Sequence, residues 1–362
     1  MKIKFIKISL LVFSLVLFGG GCSIGPGGSN VNTGGPSGVF VTTDEGEQWN
    51  QINKLPTADD VQSLQNVSVY RLFKDPLDSD ALYWASRGSG LYYSYDKGKT
   101  WRKDDGPLAN KFVYSVAIHP NDKCILFGTD GVNVYRSTDC ARSWKKVHKE
   151  DRNNSKITSL TFQKNKPYKL FMSKENGDFL STPDLGSSWQ IMKRFNGSPE
   201  RVYTDKQHQE MVYVATENNG LFRSNDLGQS WINLKDKLQE FAQGLDFHRA
   251  EVFPGDSDKI FWAAKYGILV SDDKGDTWES MELITSPGTA DIWSLAVHPE
   301  DDNKIYYTAT VKEKSTFYLT KDGGQTWSTK ELPTGQWPVS LKIHSENPNI
   351  IYVGFMNPTQ EQ

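Results

Sequence analysis

The chain has only three cysteines in 362 residues, Cys22, Cys124 and Cys140. That scarcity excludes a disulfide-dense scaffold and the repeated cysteine pairs of zinc modules. Histidines are few, at six. The chain carries no phosphate loop, no Ser-His-Asp arrangement and no metal-ligating set. Basic runs are missing too. The formal net charge is −3 and falls to −6 without Lys2, Lys4 and Lys7. A nucleic-acid partner therefore has no electrostatic footing. Only one long apolar run exists, "ISLLVFSLVLF" at 8–18, and it is too short to span a bilayer comfortably. The rest of the composition is ample for a large core: 37% apolar, 12% aromatic, and 23% charged with balanced signs, which argues against disorder.

That apolar run follows a positive segment, "MKIKFIK", and precedes "GGGC". The order resembles a bacterial lipoprotein signal, although Gly19 stands where an aliphatic is usual. The resemblance implies removal of residues 1–21, lipidation of Cys22 and an extracytoplasmic protein anchored to a bacterial membrane. Residues 22–36 are rich in Gly, Ser, Asn and Pro, and read as a flexible tether. The two remaining cysteines of an exported chain suggest one disulfide.

The strongest signal is an internal repeat. "TTDEGEQW" (42–49), "SYDKGKTW" (94–101), "STDCARSW" (137–144), "TPDLGSSW" (182–189), "SNDLGQSW" (224–231), "SDDKGDTW" (271–278) and "TKDGGQTW" (320–327) are seven near-copies of one octet. Their tryptophans lie 52, 43, 45, 42, 47 and 49 residues apart. An apolar strand precedes each octet and a short strand follows it. Two further strands lie upstream, as in "VYSVAIHP" and "CILFG". Each unit is thus four antiparallel strands, A to D, with the octet as the C–D turn. Units of this length predict an all-β, seven-bladed propeller over residues 37–356, followed by a tail at 357–362. The chain starts on a lone C–D hairpin near Gly38–Ile52 and ends on a lone A–B pair near Val339–Phe355. Together these two halves make the seventh blade and close the ring.

The octet is the Asp-box. The chain resembles the Asp-box propellers: sialidases, sortilin-type receptors, xyloglucanases and photosystem II assembly-factor propellers. The likeness covers about 39–355 and is specific for fold, weak for function. In the box, Asp44, Asp96, Asp139, Asp184, Asp226, Asp273 and Asp322 accept turn N–H bonds. The glycine takes positive φ. Trp49, Trp101, Trp144, Trp189, Trp231, Trp278 and Trp327 fill space between blades. The resemblance implies that the boxes lie away from the functional face. Cys124 opens strand B and Cys140 follows strand C of the same blade, which predicts a Cys124–Cys140 disulfide. Ala141 replaces the box glycine there, at a cost of about 1 kcal/mol if φ stays positive.

Residues that recur at one repeat position are structural. His119, His248, His298 and His344 read as closing strand A in four blades, too far apart to share a metal. "SDDKGDTW" lacks the alternating acids of a calcium loop. Arg136 and Arg223 each precede a box and read as scaffold. The opposite face, built from D–A loops and B–C turns, diverges as binding loops do. It offers Asp59, Asp60, Arg87, Asp104, Asp105, Tyr114, Phe241, Tyr266, Trp293 and Trp337 as a candidate binding face. Acids among aromatics suit a sugar or a protein surface. A sialidase would need an arginine triad, a Tyr/Glu nucleophile pair and an Asp acid; its Arg-Ile/Leu-Pro signature before the first boxes is absent, only ten arginines exist, and no Tyr/Glu pair announces itself. The expectation is a non-catalytic, monomeric, lipid-anchored propeller, without metal or cofactor, that binds a protein or glycan. The alternative is a sialidase-like or xyloglucanase-like glycoside hydrolase, with Asp59 or Asp60 facing Asp104 or Asp105.

Overall fold

The computed structural model describes residues 34–153, 155–166, 168–252 and 258–358. The expected signal segment and Cys22 lie outside these residues, as does most of the expected tail. Seven antiparallel four-stranded sheets form the propeller. Blades 1 to 6 occupy residues 69–103, 115–149, 157–194, 199–233, 247–280 and 291–331. Blade 7 joins both ends of the chain. Gly38–Thr42 pairs with Ile351–Met356, in register from Gly38↔Phe355 to Thr42↔Ile351.

Each blade is covered on both sides by neighbours, so its inner strands are nearly continuous apolar runs rather than alternating ones. Leu82–Ser86, Ile260–Ala264 and Ile351–Met356 are buried at every residue. Trp84, Trp262 and Tyr307 face the same strand A position in blades 1, 5 and 6 and are fully buried. Each such side chain is worth on the order of 2–3 kcal/mol of apolar transfer. The outermost strands are short and polar, as at Arg102–Lys103 and Glu279–Ser280.

The seven boxes share one hydrogen-bond pattern. In blade 3, the Thr182 hydroxyl donates to Asp184 at 2.7 Å and accepts the Gly186 N–H at 2.9 Å. Asp184 then accepts the Ser188 N–H and hydroxyl. In three boxes the tryptophan Nε1 donates into the preceding blade: Trp101 to the Ile52 carbonyl, Trp144 to Asp104 and Trp327 to the Glu282 carbonyl. Arg136 reaches forward to the Leu185 carbonyl of the next box, and Arg223 to the Lys274 carbonyl and Asp276. These contacts tie neighbouring blades together.

The blade 2 box keeps these hydrogen bonds but differs in two residues. Cys124 and Cys140 form a disulfide with Cα atoms 3.8 Å apart. Ala141 keeps φ at 63° and is buried. Two elements were not expected. The longest D–A loop carries an extra hairpin, Lys54–Pro56 with Val61–Ser63, and a short helix, Lys235–Leu238, follows blade 4. The flexible tether expected through residue 36 also stops sooner. The Gly34 carbonyl accepts the Gly335 N–H, and the Gly35 carbonyl accepts Gln336 Nε2.

Candidate binding face

Antiparallel order puts A–B turns and Asp-boxes at one end of every blade. B–C turns and D–A loops lie at the other, open end. Three of the four strand A histidines cap A–B turns on the box face: His119, His298 and His344 Nδ1 accept N–H groups of Asn121, Glu300 and Glu346. His248 is a correction. Strand A of blade 5 is Phe247–Val252, so His248 begins that strand and lies on the open face. His248 stands just before Arg249, five positions ahead of the strand-closing place that His119, His298 and His344 share.

Asp104 is a second correction. Its side chain is buried, accepts Trp144 Nε1 at 2.7 Å and the Leu108 N–H at 3.1 Å. Burial pushes its carboxyl upward. It anchors the blade 2 box and is closed to a ligand. Asp59 and Asp60 lie exposed on the extra hairpin, where Asp60 accepts its neighbour's N–H and shapes the turn. Asp105 is exposed beside the buried Asp104. The expected pairing of Asp59 or Asp60 with Asp104 is thereby removed.

The aromatic candidates gather into three groups. Tyr114 stacks on Phe112 at 4.2 Å, Tyr70 packs on the edge of both, and Arg87 lies 5.4 Å over the Phe112 ring. Trp293 stacks on Trp337 at 4.6 Å, with its Nε1 donated to Thr310. Phe241 meets Tyr266 edge-on at 5.4 Å. All are half-buried, so each ring keeps an exposed portion while its position is fixed by packing. Such pre-ordered rings contribute binding area at low entropic cost.

Between these groups, Glu200, Arg201, Glu217, Phe247 and His248 line one depression, and His248, Asp291, Ile292 and Trp293 line the next. Burial pushes the Glu200 carboxyl above its usual range, against the pull of Arg71 and the Ser198 hydrogen bond, and the Glu217 charge adds to the rise. Burial holds His248 below its usual range, against the pull of Asp246. Asp291 is paired with Lys265. Reasoning from sequence missed Tyr70, Phe112 and Glu200. Each begins a strand A or precedes one, where an irregular loop hides the repeat.

Blades 2 and 3 contribute an ion network at the same end. Glu150 accepts Lys174 at 2.5 Å and Arg152 at 2.8 Å, while Asp178 accepts Arg152 and Arg194. Glu150, Lys174 and Asp178 are buried. Burial alone would raise Glu150, but the Arg152 and Lys174 hydrogen bonds win and hold it at about 2. Burial, reinforced by Lys174, holds His148 at about 4. Arg152 and Arg194 are thereby held in this network. Among the described residues, no group of three or more His, Cys, Asp or Glu is arranged to hold a metal ion.

This is a single-ring, seven-bladed β-propeller whose open face carries aromatic and carboxylate groups around an axial channel. The model of the Sortilin-Vps10 family (sortilin, neurotensin receptor 3) matches residues 89–194 and 266–362, more than half of the chain, and the protein belongs to that family. Among solved structures it is similar to YCF48 bound to D1 peptide, with 15% identity, TM-score 0.61, 84% of this chain and 95% of that one. It is also similar to the GH74 xyloglucanase from Xanthomonas campestris, with 16% identity, TM-score 0.64, 80% of this chain and 51% of that one. These two likenesses concern the fold. Among curated proteins, a xyloglucanase from a Paenibacillus species is 25% identical over 179 residues, 42% of this chain. The chain spans only 17% of that relative's length.

Proposed function

We propose that the protein is a non-catalytic binding propeller, held outside the cytoplasm by lipid on Cys22, that grips a protein partner with its open face. One observation carries this reading: the half-buried aromatic groups, above all the Trp293–Trp337 stack, form fixed apolar anchors spread round the channel mouth. Such anchors supply most of the energy of a protein interface. The likeness to YCF48, solved with a D1 peptide, supports a protein partner as fold-level analogy. The test is capture by cross-linking in the native envelope with wild type, with Trp293→Ala/Trp337→Ala and with a box-face control, Glu47→Ala. The reading expects one partner retained by wild type and control and lost by the double variant. Equal capture by all three would refute it.

A glycoside hydrolase is the second reading, and it has one observation of its own. Glu200 and Glu217 share a depression with Phe247, and Glu200 is raised as a general acid would be. Release of reducing ends from xyloglucan oligosaccharides, abolished by Glu200→Gln and by Glu217→Gln, would favour it over the binding reading.

A further inference from the structure

The axial channel is cationic, and nothing in the binding face accounts for that. Its cavity, about 330 Å³, is lined by Arg71, Lys74, Lys164, Arg201, Arg249 and Lys342, with Glu251 as the lining carboxylate. The arginines come from one level of the ring. In six blades strand A has a bulge near its start. The residue after it is Arg71, Ser159, Arg201, Arg249, Ser294 or Ser340. Where it is serine, the hydroxyl can bind the next blade, as Ser159 and Ser340 bind the Val202 and Leu72 N–H groups. Where it is arginine, the side chain enters the channel instead. Lys74 and Lys342 line the channel closer to the box face.

These cations are poorly neutralised. Arg71 and Arg249 are only 4% and 8% exposed. Arg71 crosses the channel from blade 1 to the Thr158 carbonyl of blade 3, and its Nη2 donates to the Tyr70 hydroxyl. Its Nε is buried without an acceptor. Lys74 donates to the Ile343 carbonyl at 2.7 Å. Among the described residues, the Arg249 guanidinium and the Lys342 ammonium have no hydrogen-bond acceptor, and no carboxylate lies within 4 Å of any of the six. Burial, with Lys342 next, pulls Lys74 down to about 8. Burial lowers Lys342 too, and Arg249 and Arg71 add to it against the pull of Glu251. Enclosed like charges with free donors cost folding energy unless an opposite charge joins them.

We infer that the channel is a binding site for a free, compact, multiply charged oxyanion of the phosphate or sulfate class, held by Arg249, Lys342, Lys74 and the free Nε of Arg71. A tetrahedral anion brings two or more charges and several acceptor oxygens. That matches a guanidinium fork and flexible ammonium groups converging from different blades. An extended peptide fits less well, because Arg71 bridges the bore. The inference is independent of what the open face binds.

The test is isothermal titration of the full chain in detergent solution, first with inorganic phosphate and then with sulfate, in chloride buffer at constant ionic strength and pH 7. The expected result is saturable one-site binding, weakened at least tenfold by Arg249→Gln and by Lys342→Met. Lys145→Met, on an exposed outer strand, should leave it unchanged. Far-UV circular dichroism confirms that each variant is folded, and Arg249→Gln alone decides if Lys342→Met is not. Absence of saturable binding to wild type, or binding kept by the folded channel variants, overturns the inference.

Discussion

Ala141 and Asp104 should behave as one unit. In most boxes the position of Ala141 is glycine because the preceding blade leaves no room. A Cβ on Gly275 would lie 2.6 Å from Leu234 Cδ1, and one on Gly324 would lie 2.9 Å from Met281 Cγ. Leu234 and Met281 directly follow the outer strands of blades 4 and 5. The matching residue of blade 1 is Asp104. Its carboxylate serves Trp144 and Leu108, and the Ala141 methyl group is accommodated, only 2% exposed. Ala141→Gly alone should be close to neutral. It relieves about 1–2 kcal/mol of left-handed strain. It also forfeits about 0.8 kcal/mol of methyl burial and about 0.4–1 kcal/mol of chain entropy. Asp104→Leu alone should destabilise by about 2–4 kcal/mol, from two stranded donors and a collision with the Ala141 methyl. Asp104→Leu in the Ala141→Gly background should lose the collision and recover about 1–3 kcal/mol. Equilibrium urea unfolding of the four proteins measures that coupling. Additivity within about 0.5 kcal/mol would mean the two positions are independent, and the reasoning would fall.

Replacing both Cys124 and Cys140 by serine should cost about 3 kcal/mol in the chain-entropy model, for a loop of 16 residues. Reductant should shift wild type alone; an equal midpoint in wild type and variant under oxidising conditions would show that the bond adds nothing. Acid should unfold the protein in two stages. His148 is depressed to about 4, so its contribution is complete above the unfolded value near 6.5 and fades as pH falls toward 4. Glu150 is depressed to about 2, so its share is complete above about 4.5 and is lost as pH falls toward 2. Glu150→Gln should weaken the lower stage, which Asp139, Asp184 and Asp322 share at about 2, and leave the upper one, read by unfolding midpoints across pH; an unchanged profile contradicts the network's role.

The repeat was legible because the box encodes a whole turn. Thr182, Asp184, Gly186 and Ser188 each make a specific bond, so the octet is constrained residue by residue. Ring closure followed from counting half-blades. The channel was illegible for the opposite reason. Arg71, Arg201 and Arg249 occupy a level where Ser159, Ser294 and Ser340 also fit, and the bulge before them breaks the period of two that marks a strand. Asp104 read as a loop acid because strand D of blade 1 is two residues long. Only the packing of Trp144 reveals it as interior.

The pairing of Gly38–Thr42 with Ile351–Met356 also sets an order of events. Its partners are separated by nearly the full length of the chain, and loop closure of that span precedes the gain from its contacts. The seventh blade cannot assemble until the final strand has been synthesised and delivered. Until then the first and sixth blades each present an uncovered side, and the nascent chain stays short of its locked state. The ring is therefore an all-or-none object: six finished blades without their latch still expose two apolar flanks, and one strand pairing covers both at once.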